Sequence, residues 1–372
     1  MKGLGRISGV PNRCGLTILL YIILFAVSCD LNKDENGIVK EDGMTWVETG
    51  KGEGDSTAYY VSPSGNDNSA GTRSDRPLRT LVRAFQSVRP GGTIHVMPGT
   101  YVESIAINNG GGSSAFITVK GYEGIPVLDG KNELPAGIYC SSCTHFIFEN
   151  LKIKNYTDFG IGASLSSHIT FRKLQVEENG HKVQLLDWEL EGYGIHVDDS
   201  HHIVIDNNDV YRNGPEPQVI PDRIMGTGIN TFNIMNAEIT SNRSHHNIGG
   251  GILVEDSRHV LVENNEIYSN DLDATVDEWW DGGIWLDGGG DVTIRNNVFR
   301  DNLGPGIQIS DEDRQSPTGY ILENNDSHSN YYGIFIWNFG TTGWPDSTIL
   351  RRKGNRIENN TKEDIWIVNW ME

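Results

Sequence analysis

The sequence predicts an all-β fold in which a single chain winds as a parallel β-helix. Three segments share a Gly-Ile pair, an alternating β-branched triplet and paired asparagines: GIHVDDSHHIVIDNNDVYRN, GILVEDSRHVLVENNEIYSN and GIWLDGGGDVTIRNNVFRDN, from Gly194, Gly251 and Gly283. Internal repeats of this length indicate stacked units that bury one continuous core. The 372 residues include 44 glycines, which also favours one elongated domain of short strands and turns.

The spacing of the Gly-Ile pairs predicts the length of each coil. Gly228 and Gly251 are 23 residues apart, enough for three short strands and three turns. Longer coils carry their additional residues between the last asparagine and the next glycine, at 179–194, 213–228 and 270–283. We expect these three loops to leave the β-helix at the same turn and to form a wall beside the Gly-Ile strands.

The repeated asparagines predict structural turns. Asparagine tolerates the left-handed conformation of a sharp turn, and its amide can hydrogen-bond to the equivalent residue in the next coil. We expect such ladders at two turn positions. The members are Asn150, Asn207, Asn264, Asn296 and Asn324 at the first position, and Asn213, Asn247, Asn270, Asn302 and Asn330 at the second.

The N-terminal residues predict export. A basic N-terminus precedes an apolar run over 16–27, which is short for a membrane span and typical of a secretion signal. Residues 26–29, AVSC, resemble a bacterial lipobox, in which the cysteine becomes the lipidated first residue. We therefore expect a signal peptide over 1–28 and lipidation of Cys29. The protein would be an exported lipoprotein of the outer membrane, cell surface or periplasm that contacts the membrane only through its lipid.

The remaining residues predict a tether and one folded domain. Residues 29–57 are acidic and polar, which is typical of a flexible segment. The domain over 58–372 opens with an amphipathic stretch, since apolar residues between Leu81 and Val88 fall at helical spacing. We expect this helix to cap the open end of the strand array.

Charge excludes nucleic acid as a partner. Asp and Glu number 50 against 30 Lys and Arg, for a formal net charge of −20. Binding to phosphates needs clustered cations. We expect a monomer.

Alternation along the Gly-Ile strands assigns residues to the outer face. The second and fourth residues after each glycine point outward. Glu255 and Asp287 then lie in adjacent coils, about 5 Å apart at the backbone, and Asp198 lies about 10 Å from Glu255. Carboxylates this close raise one another's pKa, which can supply a proton donor beside an ionised partner, or a metal site. The alternative is an acidic surface without a function.

The same face supplies candidate ligands for sugar and metal. The loop over 270–283 carries the adjacent Trp279 and Trp280, whose indoles can stack on sugar rings or anchor the loop. Further candidate substrate contacts on the strands are Trp285, Asn230 and Gln308. Calcium takes six to eight oxygen ligands. The carboxylates that could supply them are Asp198, Asp199, Glu255, Asp256 and Asp287.

The opening of the domain, AYYVSPSGNDNSAGTRSDRPLRTLVRAFQSVRPGGTIHVMPGTY, resembles secreted proteins of the pectin-lyase-like superfamily. The resemblance covers roughly 59–360. It implies a single-stranded right-handed parallel β-helix with an N-terminal capping helix and a polysaccharide lying across the Gly-Ile face. In lyases of this superfamily calcium binds substrate carboxylates on that face, and a basic residue removes the α-proton. Since the strand columns contain no Lys or Arg, the candidate bases are His196 and Arg223.

Three functions are therefore open. The first is metal-assisted β-elimination of a uronate-containing glycan. The second is hydrolysis with retention, in which Glu255 and Asp287 act as acid and nucleophile, because retaining enzymes hold their two carboxyls about 5 Å apart. The third is glycan binding without cleavage, which needs only the tryptophan loop and the groove.

Overall fold

The structure is a computed structural model and describes residues 39–41, 43–50, 56–108, 115–181, 185–186, 189–215, 224–272, 281–310, 319–338 and 350–369. The predicted signal peptide and Cys29 lie outside these residues. The chain divides into two units, 1–40 and 41–372. Within the described ranges, no helix has the length and hydropathy needed to cross a bilayer.

Three parallel sheets, here named A, B and C, run through the second unit, and each coil of the chain contributes one strand to each. Strand β1 is Val39–Glu41. Sheet A contains β2 (Met44–Glu48), β6 (Ile105–Asn108), β9 (Ala136–Ser141), β12 (Phe159–Ser164), β17 (Tyr193–Asp198), β21 (Ile229–Phe232), β24 (Ile252–Glu255), β27 (Ile284–Asp287), β30 (Ile307–Ser310), β33 (Tyr332–Asn338) and β36 (Glu363–Asn369).

Sheets B and C complete the coil. Sheet B contains β3 (Ala58–Val61), β4 (Thr93–Val96), β7 (Ile117–Gly121), β10 (Thr144–Glu149), β13 (Ser167–Arg172), β18 (His201–Asp206), β22 (Met235–Thr240), β25 (Arg258–Glu263), β28 (Gly290–Arg295), β31 (Tyr320–Glu323) and β34 (Leu350–Lys353). Sheet C contains β5 (Thr100–Tyr101), β8 (Val127–Asp129), β11 (Lys152–Lys154), β14 (Gln175–Glu177), β19 (Asp209–Tyr211), β23 (Arg243–His245), β26 (Glu266–Tyr268), β29 (Val298–Arg300), β32 (Asp326–His328) and β35 (Arg356–Glu358).

The interior explains why the repeat forms this fold. Inward residues of successive coils stack in register, as Ile195, Ile229, Ile252 and Ile284 do in sheet A, and all four are fully buried. β-Branched side chains pack well on such pleated surfaces. The predicted all-β parallel β-helix is therefore confirmed.

The predicted capping helix is confirmed as α1, Leu81–Ser87. The Thr80 hydroxyl caps it by accepting a hydrogen bond from the Arg83 backbone N–H at 3.1 Å. Leu81, Ala84 and Phe85 are buried against the first strands. Arg83, on the other side of the helix, is exposed.

Part of the predicted tether is instead a strand. Residues 44–48 form β2, which pairs in parallel with β6, and Val47 lies in the core. The segment is short and lies within an acidic stretch, and its residues Met44, Trp46 and Val47 do not form a regular alternation that would predict a strand. Five residues are enough for one strand when a partner strand is present.

Each asparagine was predicted both to adopt a left-handed turn conformation and to join an amide ladder. At the first turn position, two different residues fill these two roles. The first predicted set occupies left-handed turns, with φ from 54° at Asn207 to 58° at Asn264. The ladder of that turn is formed by the following residue: Asn208, Asn242, Asn265, Asn297, Asn325 and Asn355. The second predicted set does form a ladder, extended by Asn179 and Asn360.

Two of the predicted wall loops contact each other. They contribute β15 (Leu185–Leu186), β16 (Glu189–Glu191) and β20 (Ile224–Met225) to a small separate sheet. In it, Leu190 pairs with Ile224 across the two loops. Each of these two loops leads directly into the sheet A strand that follows it, β17 or β21.

Candidate functional site

The outer face of sheet A has the two predicted columns of side chains. In the first, the register joins Tyr139, Gly162, His196, Asn230, Leu253, Trp285, Gln308 and Phe335. In the second, it joins Ser141, Ser164, Asp198, Phe232, Glu255, Asp287 and Ser310.

Glu255 and Asp287 occupy neighbouring coils, as expected. Asp287 is buried and accepts a hydrogen bond from the Ser310 hydroxyl at 2.7 Å. The Ser310 oxygen in turn accepts from Nε1 of Trp285, also at 2.7 Å. These two linked hydrogen bonds orient the Asp287 carboxyl. They also give Trp285 a structural role that its position in the sequence did not indicate.

Asp198 differs from the other carboxyls of the face. Its residue is 1% exposed, and its Oδ1 atom is buried without a hydrogen-bond partner. Burial raises the pKa of this carboxyl from 3.8 to about 7, since a charge is disfavoured where water cannot solvate it. A group of that pKa exchanges protons near neutral pH.

Tyr139 and Ser164 lie in the two coils before Asp198. Burial raises the pKa of the Tyr139 phenol, and the nearby Asp198 charge raises it further, so the phenol keeps its proton. The Ser164 hydroxyl, which lies between them, lowers the pKa of both groups by less than burial raises it. A proton acceptor and a proton donor therefore lie two coils apart on the same sheet, close enough for the charge of Asp198 to raise the pKa of Tyr139.

His196 is a neutral hydrogen-bonding group. Burial lowers its pKa to about 4, so the imidazole is uncharged at pH 7. Nδ2 of Asn230 lies 2.9 Å from its Nδ1. When the Asn230 amide donates this bond, the ring hydrogen is on Nε2. His196 then presents a donor and is a weak base.

A strip of rings follows the first column. The His196 ring stacks on Tyr193 with centroids 4.9 Å apart, and Phe159 bridges His196 and Tyr139 at 5.7 Å from each. Trp46 meets Tyr139 edge-on at 6.3 Å. Sugar rings have apolar faces that stack on such surfaces.

The other predicted substrate contacts are placed on the outer face but are covered. Asn230, Trp285 and Gln308 are 4%, 5% and 2% exposed. Arg223, Trp279 and Trp280 lie outside the described residues, so their predicted roles stay predictions.

The predicted calcium ligands do not form a compact oxygen cage. Phe232 separates Asp198 from Glu255 in the register. Asp199 and Asp256 are left-handed turn residues after their strands, and the Asp199 carboxylate accepts from Asn233 at 2.6 Å. Across the described part of the chain, no three of these carboxylates bring oxygen atoms within 4.8 Å of one another. These residues alone do not fit the coordination shell that calcium requires.

The sequence reasoning missed Tyr139 and Ser164, together with Phe159 and Tyr193. The signal was present, because GIYCS and GIGAS at 137–141 and 160–164 repeat the same strand pattern. Extending the two columns by two coils toward the N-terminus would have found Tyr139 and Ser164.

Comparison with known sequences gives relatives along most of the chain. An uncharacterised protein of Bacillus subtilis, YwoF, is 27% identical over 341 residues, which cover 83% of this chain and 70% of that protein. Pectate lyase PEL9 of Emericella nidulans is 40% identical over 78 residues, 20% of this chain and 19% of the lyase.

The fold is also found among solved structures. The crystal structure of pectate lyase Pel9A superposes with a TM-score of 0.63 at 20% identity, covering 87% of this chain and 80% of the lyase. At that identity the similarity shows the fold. Residues 63–108 match a family described as a protein of unknown function, DUF1565. Residues 131–214 and 181–362 match the family described as the right-handed β-helix region, over well more than half of the sequence. The chain therefore belongs to the right-handed β-helix family.

Proposed function

We propose that the protein cleaves a uronate-containing polysaccharide by β-elimination on the outer face of sheet A. In this reaction a base removes the proton next to the uronate carboxyl, and its electron pair forms a C4–C5 double bond. The bond from C4 to the glycosidic oxygen breaks, and that oxygen takes up a proton. One unsaturated end and one saturated end result.

The buried Asp198 carboxyl is the observation that carries the proposal. With a pKa of about 7 it is a stronger base than an ordinary carboxylate and still ionises near neutral pH. Asp198 is the proposed base, in place of the metal-ligand role first considered. Tyr139, whose phenol stays protonated, is the proposed donor to the leaving oxygen.

His196 is proposed to hold the uronate carboxylate, and the buried Asn230 amide is proposed to orient the ring. A hydrogen bond from Nε2 of His196 would stabilise the charge that develops when the neighbouring proton leaves. The ring strip formed by Phe159, Tyr193 and Tyr139 would support the adjacent sugars. Because Asp198 is 1% exposed, productive binding requires the groups that cover it to move aside.

The similarity to the lyases supports the choice of elimination. Pectate lyase PEL9 shares 40% of residues over its matched segment, and Pel9A has the same fold. No step here passes through calcium, since the candidate carboxylates that the structure describes do not form a group of three within ligand distance.

Hydrolysis is the second candidate. It is favoured by the pairing of Glu255 with Asp287 in adjacent coils and by the hydrogen bond that orients Asp287. Neighbouring strands lie about 4.8 Å apart, which is close to the carboxyl separation of about 5 Å that retaining enzymes use.

Product analysis of a panel of pectate, alginate and rhamnogalacturonan tests the proposal, with added calcium and with a chelator in parallel. We expect an unsaturated product that absorbs in the ultraviolet under both conditions. Saturated reducing ends would instead support hydrolysis, and retention of a glycan without cleavage would support binding alone.

Matched variants assign the residues. Asp198→Asn and Tyr139→Phe each remove one proton-transfer group while keeping the side-chain shape, and each should lower the cleavage rate by 100-fold or more, the usual scale of general acid and base catalysis. Glu255→Gln is the control and should retain the rate. Loss of activity in the control, with full activity in Asp198→Asn, would exchange the two candidate sites.

A further inference from the structure

A cluster of histidines lies on the outer face of sheet B, away from the columns of sheet A. His168 is the second residue of β13, and His201 and His202 open β18 in the next coil. One ligand nitrogen from each ring lies within 4.8 Å of the other two. Among the described residues, no other three His, Cys, Asp or Glu are grouped so closely.

The rings face one another in a way that leaves nitrogen atoms available. His168 and His202 stack with centroids 4.5 Å apart, and His201 meets His202 edge-on at 5.0 Å. The Nδ1 atoms of His201 and His202 are 2.7 Å apart, so one ring must donate a hydrogen to the other. Nδ1 of His168 is buried and has no hydrogen-bond partner, an arrangement that costs free energy unless a ligand satisfies it.

His168 is flanked by three other histidine rings, those of His145, His201 and His202. Burial lowers the pKa of His168, and His145, His202 and His201 lower it further. His145 stacks on the opposite side of His168 at 4.4 Å, and burial lowers its pKa as well. The unprotonated imidazole is the form that binds metal ions.

We propose that His168, His201 and His202 form a binding site for a divalent transition metal, with zinc as the representative ion. Imidazole suits zinc, copper and nickel, whereas calcium and magnesium prefer oxygen ligands. The ion would link two consecutive coils, β13 and β18. His201 and His202 are exposed, which leaves the remaining coordination position to water.

The rings must rotate and separate to bind one ion, because the rings of His168 and His202 are stacked nearly parallel and imidazole nitrogens bind a metal in the plane of the ring. Tetrahedral zinc with bonds of about 2.0–2.1 Å places ligand nitrogens about 3.3 Å apart. The two Nδ1 atoms at 2.7 Å would therefore separate by about half an ångström if both bind, and the ring hydrogen between them would move to Nε2. Exposed side chains can make this change without repacking the core.

Titration of the full chain with zinc chloride, by calorimetry on protein without a polyhistidine tag, tests the proposal. We expect one equivalent of zinc to bind and to raise the melting temperature, because the ion binds only the folded arrangement of the rings. Calcium chloride should produce neither effect through this cluster. A wild-type protein that binds no zinc would overturn the proposal.

The backbone suggests how to remove the ligands without disturbing the fold. His168 and His202 have φ of 56°, and Asn236, at the same position in the next coil, has φ of 57°. Asparagine therefore fits this column. His168→Asn and His202→Asn should each weaken zinc binding tenfold or more and abolish the rise in melting temperature.

His259→Asn is the matched control. His259 has φ of 56° in the same column, but it faces Asp291 at 3.6 Å and belongs to no group of three ligands. It should bind zinc as the wild type does. Zinc binding that is unchanged in His202→Asn, or reduced equally by His259→Asn, would refute the site.

Discussion

The substitution Asp198→Asn should stabilise the protein at neutral pH and not at acid pH. The pKa of Asp198 is raised from 3.8 to about 7 by burial, a shift of about three units. At about 1.4 kcal/mol per unit, ionisation of this buried group opposes folding by up to about 4 kcal/mol. Asparagine has nearly the same shape and cannot ionise.

The sign follows from proton binding. The unfolded chain releases the Asp198 proton near pH 3.8, whereas the folded chain retains it until about pH 7. The contribution of Asp198 to the free energy of unfolding is therefore full below pH 3.8 and is lost as the pH rises toward 7. It changes little above pH 7. The advantage of Asp198→Asn over the wild type should grow over the same interval.

The assay is the free energy of unfolding in urea, measured from pH 3.5 to 8.5 for both proteins. Asp209→Asn is a control with the opposite sign, because its hydrogen bond to His245 lowers the pKa of Asp209. That variant should lose stability above pH 4 and lose less as the pH falls. A constant difference between Asp198→Asn and the wild type across this range would refute an ionisation that opposes folding.

Two further predictions concern the supporting structure. Trp285→Phe removes the indole N–H that donates to the Ser310 oxygen. A double-mutant cycle with Ser310→Ala should give a coupling free energy of about 1 kcal/mol. A coupling near zero would show that Trp285 does not support the hydrogen bond from Ser310 to Asp287. Asn265→Ala deletes four hydrogen bonds of a buried amide and should cost about 3 kcal/mol or more. Its exposed neighbour Asn264, at φ 58°, should cost about 1 kcal/mol when changed to Ala, and equal costs in urea unfolding would contradict the division of roles.

The period of the repeat predicted the fold because each coil has the same sequence pattern. Gly-Ile pairs, β-branched triplets and asparagines mark the same strands and turns in every coil. The register of the strands, and whether a side chain points inward or outward, therefore follow from residue positions in the repeat. The pairing of Glu255 with Asp287 was predictable in this way. The strand at 44–48 was not, because a single strand has no repeat to support it and depends on β6 being present.

The candidate site was only partly predictable, because pKa and burial depend on what covers a residue. The column position of Asp198 could be read from the sequence, but the sequence does not reveal that the carboxyl is almost fully buried. For the same reason Asn230, Trp285 and Gln308 were predicted to contact substrate on an open face, whereas the structure shows them buried. The cluster of His168 with His201 and His202 brings together residues of neighbouring coils that are far apart in the sequence.

The pH dependence of polysaccharide cleavage tests the central claim most directly. If Asp198 is the base, kcat/KM of the wild type should rise with pH through an ionisation near 7, because the carboxyl must be deprotonated to accept the proton. Asp198→Asn should lose that ionisation together with most of the rate. Wild-type cleavage with no ionisation near pH 7, or undiminished cleavage by Asp198→Asn, would contradict the account.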